Sequence, residues 1–445
     1  MKKNISVPSL ILIFIFGLFL SSQTAIASNQ SLTIQEETKV IEIIAGDIPQ
    51  WLGKPIRDYS LMSISRNRMQ PIPFQIDEMD ELGRVYFSVS KVKLQGELNK
   101  VDAGDELLFL MKDTGDKINS QTRTRGESVA EIEVTTASGE KRYVYIVAHS
   151  RLKSDEAYVR YASIYGRVET DHYTLTHNAN NALNWDDFQY NAFEGEQKSP
   201  FDRMKLEISS SLIVPFPRLV LRNKNIVAKP IAEHVGPIRA TTQFTVTLKL
   251  FGLPMQRFQM QVHYKPADIE YYTLFKIPRF RRFFLQKPEV IMAIDANNMQ
   301  GTQIITSNDP NLISIADGTI DINEFELLTN RASLDNNWQW VRTGQQLELF
   351  TTFKYEVEAE YPVSFHLKDE LTGMSGSERF EGKGPEAGYK IHGIPRKGEF
   401  GLSLTLSMSP GYDADHGEDI YNHIVGQPKT RITSLQSETV ATLSQ

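Results

Sequence analysis

Residues 244–264 read FTVTLKLFGLPMQRFQMQVHY and hold two stretches in which apolar and polar residues alternate. Alternation with a period of two is typical of strands that bury one face and expose the other to water. The two stretches therefore predict neighbouring strands of an antiparallel sheet, joined at the apolar tip FGLPM. The apolar positions of the two stretches are Phe244, Val246, Leu248 and Leu250, and then Phe258, Met260, Val262 and Tyr264.

The same alternation recurs along the chain, in 131–134, 347–361 and 400–408. Helical periodicity is scarce, and 321–333 (DINEFELLTNRAS) is the best candidate for a short helix. The sequence thus predicts a mostly β protein of antiparallel β-sandwich architecture, with a small N-terminal β unit and a larger β-sandwich region. Because no G-x-G-x-x-G or G-K-[ST] loop occurs, a nucleotide site is not indicated.

The beginning of the chain predicts export. Two lysines, an apolar run at 10–20 and the small residues Ala25 and Ala27 are typical of a cleaved secretory signal peptide over 1–27. The apolar run is shorter than the ~20 residues that a spanning helix needs. The predicted organisation is a signal peptide at 1–27, an N-terminal β domain at 28–160, a large β-sandwich domain at 161–426 and a mobile tail at 427–445. The expected location is the periplasm or the outside of the cell.

Composition excludes several kinds of chemistry. The 445 residues include no cysteine, which rules out thiol nucleophiles, iron–sulfur clusters, disulfides and a lipoprotein anchor. The net charge is −7, yet 211–290 holds 13 Lys and Arg against 4 Asp and Glu. This basic stretch either pairs with acidic strands inside the protein or attracts an anionic surface.

Two motifs stand out in the first unit, PIPFQIDE at 71–78 and GDELLFLMKDTGD at 104–116. The pair resembles a PxPxQIDE…GDELLFxxxDxG pattern of uncharacterised exported bacterial proteins rich in β structure. The resemblance covers roughly residues 40–120. It implies no activity, so no function is carried over from it.

Apolar residues interleaved with cations form the candidate binding face within 211–290. Such sequences suit an anionic membrane surface, an acidic glycan or a groove on an envelope protein, whereas nucleic acid is not expected for an exported protein. Packing of these loops within the fold is the alternative interpretation. The candidate binding residues are Phe251, Leu253, Met255, Arg279, Phe280, Arg281, Arg282, Phe283 and Phe284.

A second group of residues could carry catalysis. Lyases that act on uronic acids need a cation to neutralise the carboxylate and a His, Tyr or Lys base to remove the neighbouring proton. The residue types of this group fit that chemistry, but they are common on the surface of any β protein. The residues of this alternative catalytic set are His234, Arg239, His263, Tyr264 and Lys265.

The acidic segment DADHGED at 413–419 is a candidate calcium loop. Asp413, Asp415 and Asp419 are spaced so that a turn at Gly417 could gather their oxygens, although the complete twelve-residue loop is missing. A solvated loop is the alternative. Calcium is therefore the one cofactor that the sequence suggests.

Three functions remain open. The main prediction is an exported, non-enzymatic envelope protein that docks on a membrane, glycan or protein partner through 211–290. The alternatives are a periplasmic carbohydrate-active enzyme resembling a polysaccharide lyase, and a structural subunit of an envelope complex.

Overall fold

The computed structural model describes residues 32–212, 218–277, 285–356, 361–369, 380, 384–394 and 398–435. Over these residues the protein is mostly strand, and the strands form several antiparallel sheets. The predicted fold class is thereby confirmed. The predicted signal peptide and the cluster from Arg279 to Phe284 lie outside the described residues.

A nine-stranded sheet forms one layer of the sandwich. Its strands, in spatial order, are β14 (Ile226–Val235), β15 (Ala240–Leu250), β16 (Leu253–Tyr264), β17 (Asp268–Ile277), β26 (Gly398–Ser409), β23 (Glu348–Tyr355), β22 (Trp338–Arg342), β19 (Gln303–Thr306) and β20 (Asp309–Ile315).

A six-stranded sheet forms the facing layer. Its strands, in spatial order, are β13 (Leu219–Leu221), β12 (Phe201–Leu212), β18 (Leu285–Ala296), β25 (Glu386–Ile391), β24 (Val363–Lys368) and β21 (Arg331–Ala332).

The main hydrophobic core fills the space between these two layers. Phe353 of the larger sheet packs on Tyr389 of the smaller one with ring centroids 5.7 Å apart, and Phe365, which is opposite Tyr389 on the neighbouring strand, also packs on its ring. The alternation read from the sequence places the apolar set of β15, β16 and β26 in this core. The polar set of the same strands therefore lies on the outer face of the nine-stranded sheet.

Three smaller sheets complete the fold. The first holds β1 (Val40–Ile44), β5 (Glu106–Leu110) and β4 (Gln75–Asp77). The second holds β27 (Thr430–Ser434), β6 (Glu127–Thr135), β7 (Lys141–Ala148), β2 (Tyr59–Ser65) and β3 (Arg68–Pro71). The third holds β11 (Trp185–Tyr190), β10 (Tyr173–His177), β9 (Arg167–Thr170) and β8 (Val159–Ala162).

The described residues also form three α-helices: α1 (Ile34–Thr38), α2 (Ile322–Thr329) and α3 (Gly417–Val425). Helix α2 falls within the predicted helical segment, and Asp321 caps it by accepting from the backbone N–H groups of Asn323 and Glu324. Helix α3 covers Trp338, Trp340 and Phe350 on the outer face of the nine-stranded sheet. In the described parts of the chain, no helix has the length and apolar character needed to cross a membrane.

The chain from Thr33 onward clusters into one unit. The division expected at residue 160 stays a prediction, and ion pairs described below join residues on both of its sides. Residues 430–434 differ from the mobile tail expected from 427, because they form β27 and pair with β6 at a sheet edge. Backbone pairing accounts for this strand, since its side chains are mostly exposed.

A charged cleft as the candidate functional site

A row of polar side chains crosses the outer face of the nine-stranded sheet. The strand registers place His234 opposite Thr241, Thr241 opposite His263 and His263 opposite Glu270. The row continues from Glu270 to Thr405 and Thr352. Directly opposed residues of antiparallel strands share a face. The sheet therefore presents a hydrogen-bonding surface on the side that faces away from the core.

Two walls turn the middle of this surface into a cleft of about 780 Å³. Strand β1 forms one wall and the segment from helix α3 to Gln427 forms the other. The size falls within the ~300–1,000 Å³ of typical small-molecule sites. Its floor includes Lys265, Asp268, Glu270, Ser403 and Thr405, and its walls include Lys39, Glu42, Asp335 and Tyr421.

Lys265 joins two carboxylates at this floor. Its Nζ lies 2.6 Å from Glu42 Oε1 and 3.4 Å from Glu270 Oε2. The 2.6 Å and 3.4 Å contacts to one nitrogen keep those two oxygens within about 6 Å of each other. The side chains of Glu42 and Glu270 are 25% and 24% exposed, so both remain accessible from the cleft.

Charge pairing keeps these groups ionised at neutral pH. Burial on its own would raise the pKa of Glu42, but Lys265 and Arg239 outweigh it and lower that pKa to about 2. Burial also opposes ionisation of Glu270, yet Lys265 leaves its pKa below the ordinary value. The pKa of Lys265 rises above its usual range because the two carboxylates outweigh its burial. At this point of the floor, two anions therefore surround the Lys265 cation.

A third carboxylate, Glu356, lies along the same floor. Its Oε1 accepts a hydrogen bond of 2.6 Å from the Ser403 hydroxyl, and its Oε2 lies 3.7 Å from Lys354 Nζ. Tyr272 is opposite Ser403 and therefore shares this face, where it is partly exposed. Carboxylates, hydroxyls and an aromatic ring are groups that can bind the hydroxyl-rich, partly apolar surface of a sugar.

The two motifs of the first unit form a clamp around Arg239. Asp77 accepts from Arg239 Nε at 2.8 Å, and Glu106 accepts from Arg239 Nη2 at 2.7 Å. Gln75 accepts from the backbone N–H groups of Ile238 and Arg239 and donates to the Arg239 carbonyl. The segments PIPFQIDE and GDELLF therefore attach the three-stranded sheet to the start of β15. Spacing in the sequence gave no signal for this pairing.

Arg239 is buried and paired with two carboxylates in this clamp. Only 5% of its side chain is exposed, and burial is outweighed by Asp77 and Glu106, which raise its pKa above the usual range. Burial would raise the pKa of Asp77, but Arg239 and His234 hold it well below its usual range. For Glu106, burial outweighs Arg239 and raises the pKa. Arg239 is consequently not available to neutralise a substrate carboxylate.

The residues of the predicted catalytic set do not lie together in one site. His234 lies beside the clamp, with Nε2 3.0 Å from Asp77 Oδ1, and 45% of its side chain is exposed. His263 is buried against Thr241 on the same face, where burial lowers its pKa to about 4. Tyr264 points to the opposite side, into the core, and its hydroxyl lies 2.6 Å from His177 Nε2. A base and a free cation for a lyase reaction are therefore not assembled.

The predicted calcium loop is not assembled either. Asp419 lies in the first turn of helix α3, and Asp413 and Asp415 precede that helix in the chain. Within the described ranges no group of three or more His, Cys, Asp or Glu side chains could hold a metal ion. Helix formation has taken the place of the expected turn at Gly417.

The described part of the candidate binding face is a hairpin tip. Phe251 is 93% exposed and Leu253 is 71% exposed, with Met255 next to them at 38%. Elsewhere in 211–290, cations pair with carboxylates, as Arg218 does with Glu289 and Lys265 with Glu42. These pairs agree with the interpretation in which the basic stretch pairs with acidic residues inside the protein.

The similarity of this chain to known proteins lies in its fold. No protein-family model matches the sequence, and no curated protein is similar to it. A solved α-mannosidase from Enterococcus faecalis V583 is similar in structure, with a TM-score of 0.50 and 9% identity over 90% of this chain. A protein in glycosyl hydrolase family 38 from Enterococcus faecalis gives a TM-score of 0.46 at 9% identity, over 90% of this chain and 46% of its own.

The likeness to the α-mannosidase shows a shared fold. This chain spans about 45% of the α-mannosidase chain. The main prediction, a non-enzymatic envelope protein docking through 211–290, is wrong, because the fold is one that occurs in a carbohydrate-processing enzyme. Of the functions predicted from the sequence, the carbohydrate-active alternative agrees better with this finding.

Proposed function

We propose that this protein acts on a carbohydrate bound in the charged cleft, and that the reaction is glycoside hydrolysis. The observation that carries the proposal is the arrangement of Glu42 and Glu270 on the two sides of Lys265. Glycosidases use two carboxylates that flank the scissile bond. The similarity of the fold to that of an α-mannosidase supports a carbohydrate as the substrate. That this protein hydrolyses glycosides is part of the proposal.

The separation of the two carboxylates favours one stereochemical course. Their nearest oxygens are at most about 6 Å apart, which is closer to the ~5–5.5 Å of retaining enzymes than to the ~6.5–9.5 Å of inverting ones. In a retaining reaction one carboxylate attacks the anomeric carbon while the bond to the leaving oxygen breaks. Because Glu42 and Glu270 are both anionic, the leaving oxygen takes its proton from the Lys265 ammonium between them, and Lys265 regains a proton from the water that enters next. Water then releases the sugar from the enzyme with the original configuration.

The charges of the cleft support hydrolysis over lyase chemistry. Glu42 and Glu270 both have lowered pKa values, so both are anionic when substrate binds. Two anions stabilise the positive charge that develops on the sugar ring in an oxocarbenium-like transition state. In the lyase reaction predicted from the sequence, Arg239 would neutralise the substrate carboxylate, but it is buried and already paired with Asp77 and Glu106. We therefore expect neutral or amino sugars as substrates rather than uronic acids.

Aryl glycosides test the proposal directly. A good aryl leaving group needs little protonation, so the assay does not depend on which group acts as the acid. We expect turnover of an aryl α-mannoside or another aryl hexoside by the purified protein. The variants Glu42→Gln and Glu270→Gln should each lower kcat/KM about 100-fold or more.

Glu289 provides the matched control. Its side chain is 26% exposed and pairs with Arg218 and Lys390, yet it lies on the six-stranded sheet. Glu289→Gln should retain full activity and similar stability. Absence of turnover on a panel of α- and β-hexosides would reject hydrolysis. Oligosaccharide binding that is lost in Glu270→Gln but not in Glu289→Gln would then leave the cleft as a binding site alone.

The location of this activity is part of the proposal. The predicted signal peptide over 1–27 would bring the protein to the periplasm or outside the cell. Envelope or environmental glycans would be within reach there.

A further inference from the structure

A second cavity lies inside the sandwich, between the nine-stranded and six-stranded sheets. It has a volume of about 180 Å³ and is separate from the charged cleft. Its wall on the larger sheet is formed by Val246, Leu248, Phe258 and Met260. Its wall on the smaller sheet is formed by Met204, Leu206, Ile208, Leu221 and Met292.

Several core-facing side chains beside this cavity are only partly buried. Along β15, Phe244 and Val246 are 1% exposed, whereas Leu248 farther along the strand is only half-buried. Strand β12 shows the same gradient from buried Met204 to half-buried Leu206 and Ile208. These positions alternate correctly for the core, and they line the cavity, so their partial exposure reflects the space beside them. A tightly packed interior would have buried them completely.

The lining is suited to an alkyl group. Charged residues are missing from the lining formed by the described part of the chain, and four of the lining residues are methionines. Methionine is flexible and polarisable, and it adapts to ligands of irregular shape. Among the polar lining residues, Gln256 is half-buried, whereas Ser209, Ser210 and Thr273 are buried.

We infer that this cavity binds the alkyl chain of a small single-chain amphiphile, with the polar head beside the half-buried Gln256. An apolar cavity of about 150 Å³ in another protein stays dry and binds benzene, so a volume of about 180 Å³ suits roughly seven carbon atoms. Water is a poor occupant because it needs two to four polar partners. The site is distinct from the carbohydrate cleft and does not depend on the proposed hydrolysis.

A series of 1-alkanols from butanol to dodecanol tests this inference by calorimetry on the purified protein. Each added methylene should tighten binding about fourfold, since burial of one methylene is worth about 0.8 kcal/mol. The gain should stop near seven or eight carbons, where the cavity is full. Affinity that does not change with chain length below seven carbons would overturn the inference.

Filling the cavity gives the second arm of the experiment. Leu206→Trp should lower octanol affinity at least tenfold, because the indole occupies the space that the chain would take. Leu152→Trp is the control, since Leu152 is partly exposed and does not line the cavity. Equal octanol binding by both folded variants would reject the site. If Leu206→Trp does not fold, the chain-length series on the unmodified protein still decides the question.

Discussion

Arg239 and Asp77 are 162 positions apart in the sequence, yet Arg239 Nε donates to Asp77 Oδ2 at 2.8 Å in a buried ion pair. Glu106 accepts from the same guanidinium, so one arginine of the sandwich connects two strands of the three-stranded sheet. That sheet supplies Glu42, which faces Lys265 across the cleft. The clamp therefore positions one carboxylate of the candidate site.

We predict that Asp77→Asn destabilises the protein by about 3 kcal/mol or more. The side chain of Asp77 is fully buried, and removing one partner of a buried ion pair leaves the other charge without compensation. Urea denaturation followed by circular dichroism measures the change in the free energy of unfolding.

Glu289→Gln is the comparison for that experiment. Its ion pairs with Arg218 and Lys390 are partly exposed, so the loss should stay below about 1 kcal/mol. Equal effects of the two substitutions would show that the clamp contributes no more than a surface pair. The attachment of the three-stranded sheet would then have to come from apolar contacts.

The pKa of Glu42 predicts how stability depends on pH. Its folded value of about 2 lies below the ordinary value of 4.5, so the unfolded state binds the proton more readily. The stabilisation is fully present above about pH 4.5 and is lost as the pH falls toward 2. We expect a loss of about 2 kcal/mol from this group, allowing for its partial exposure.

Thermal unfolding between pH 6 and 3 measures this effect. The melting temperature should fall as the medium becomes more acidic, and the fall should be smaller in Glu42→Gln because that side chain does not titrate. Parallel curves for the two proteins would mean that Lys265 does not hold Glu42 ionised in the folded state.

Local patterns in the sequence predicted the strands well. The alternating stretches at 244–250, 258–264 and 400–408 all lie inside observed strands, because each has one face in the core. Helix α2 likewise lies inside the segment 321–333 that was predicted to be helical. Trp338 and Trp340 share a face, as a strand requires, but helix α3 covers them, and this tertiary contact had no local signal.

The site was harder to predict, because its groups come from distant segments. The spacing of these residues in the sequence does not indicate that Glu42 of the three-stranded sheet lies beside Lys265 and Glu270 of the nine-stranded sheet. One error was avoidable: Tyr264 lies between His263 and Lys265 on a strand, so a period of two already places it on the opposite face. Its position in the core follows from that alternation.

If the protein is exported, its mature form should have a defined N-terminus. If residues 1–27 are a cleaved signal peptide, protein recovered from the periplasm should begin at Ser28. Mass spectrometry of the intact protein tests this directly. Retention of residues 1–27 would contradict cleavage and would also remove the basis for placing the proposed activity in the periplasm.

The hairpin tip gives the last prediction. Phe251 and Gly252 form the two-residue loop between β15 and β16, and both have positive φ, at 49° and 81°. Two positive φ values define a type I′ turn, for which Asn-Gly is strongly preferred. Phenylalanine is costly in this backbone conformation, and its side chain is 93% exposed, so burial offers no compensation.

Phe251→Asn should therefore stabilise the protein by about 0.5–1 kcal/mol, seen as a higher urea midpoint at an unchanged slope. Phe251→Val is the control and should destabilise it, because a β-branched residue tolerates positive φ poorly. If Phe251 instead packs in a core, Phe251→Asn should cost about 3 kcal/mol or more. Stabilisation by asparagine and destabilisation by valine together would assign the effect to the backbone of the turn.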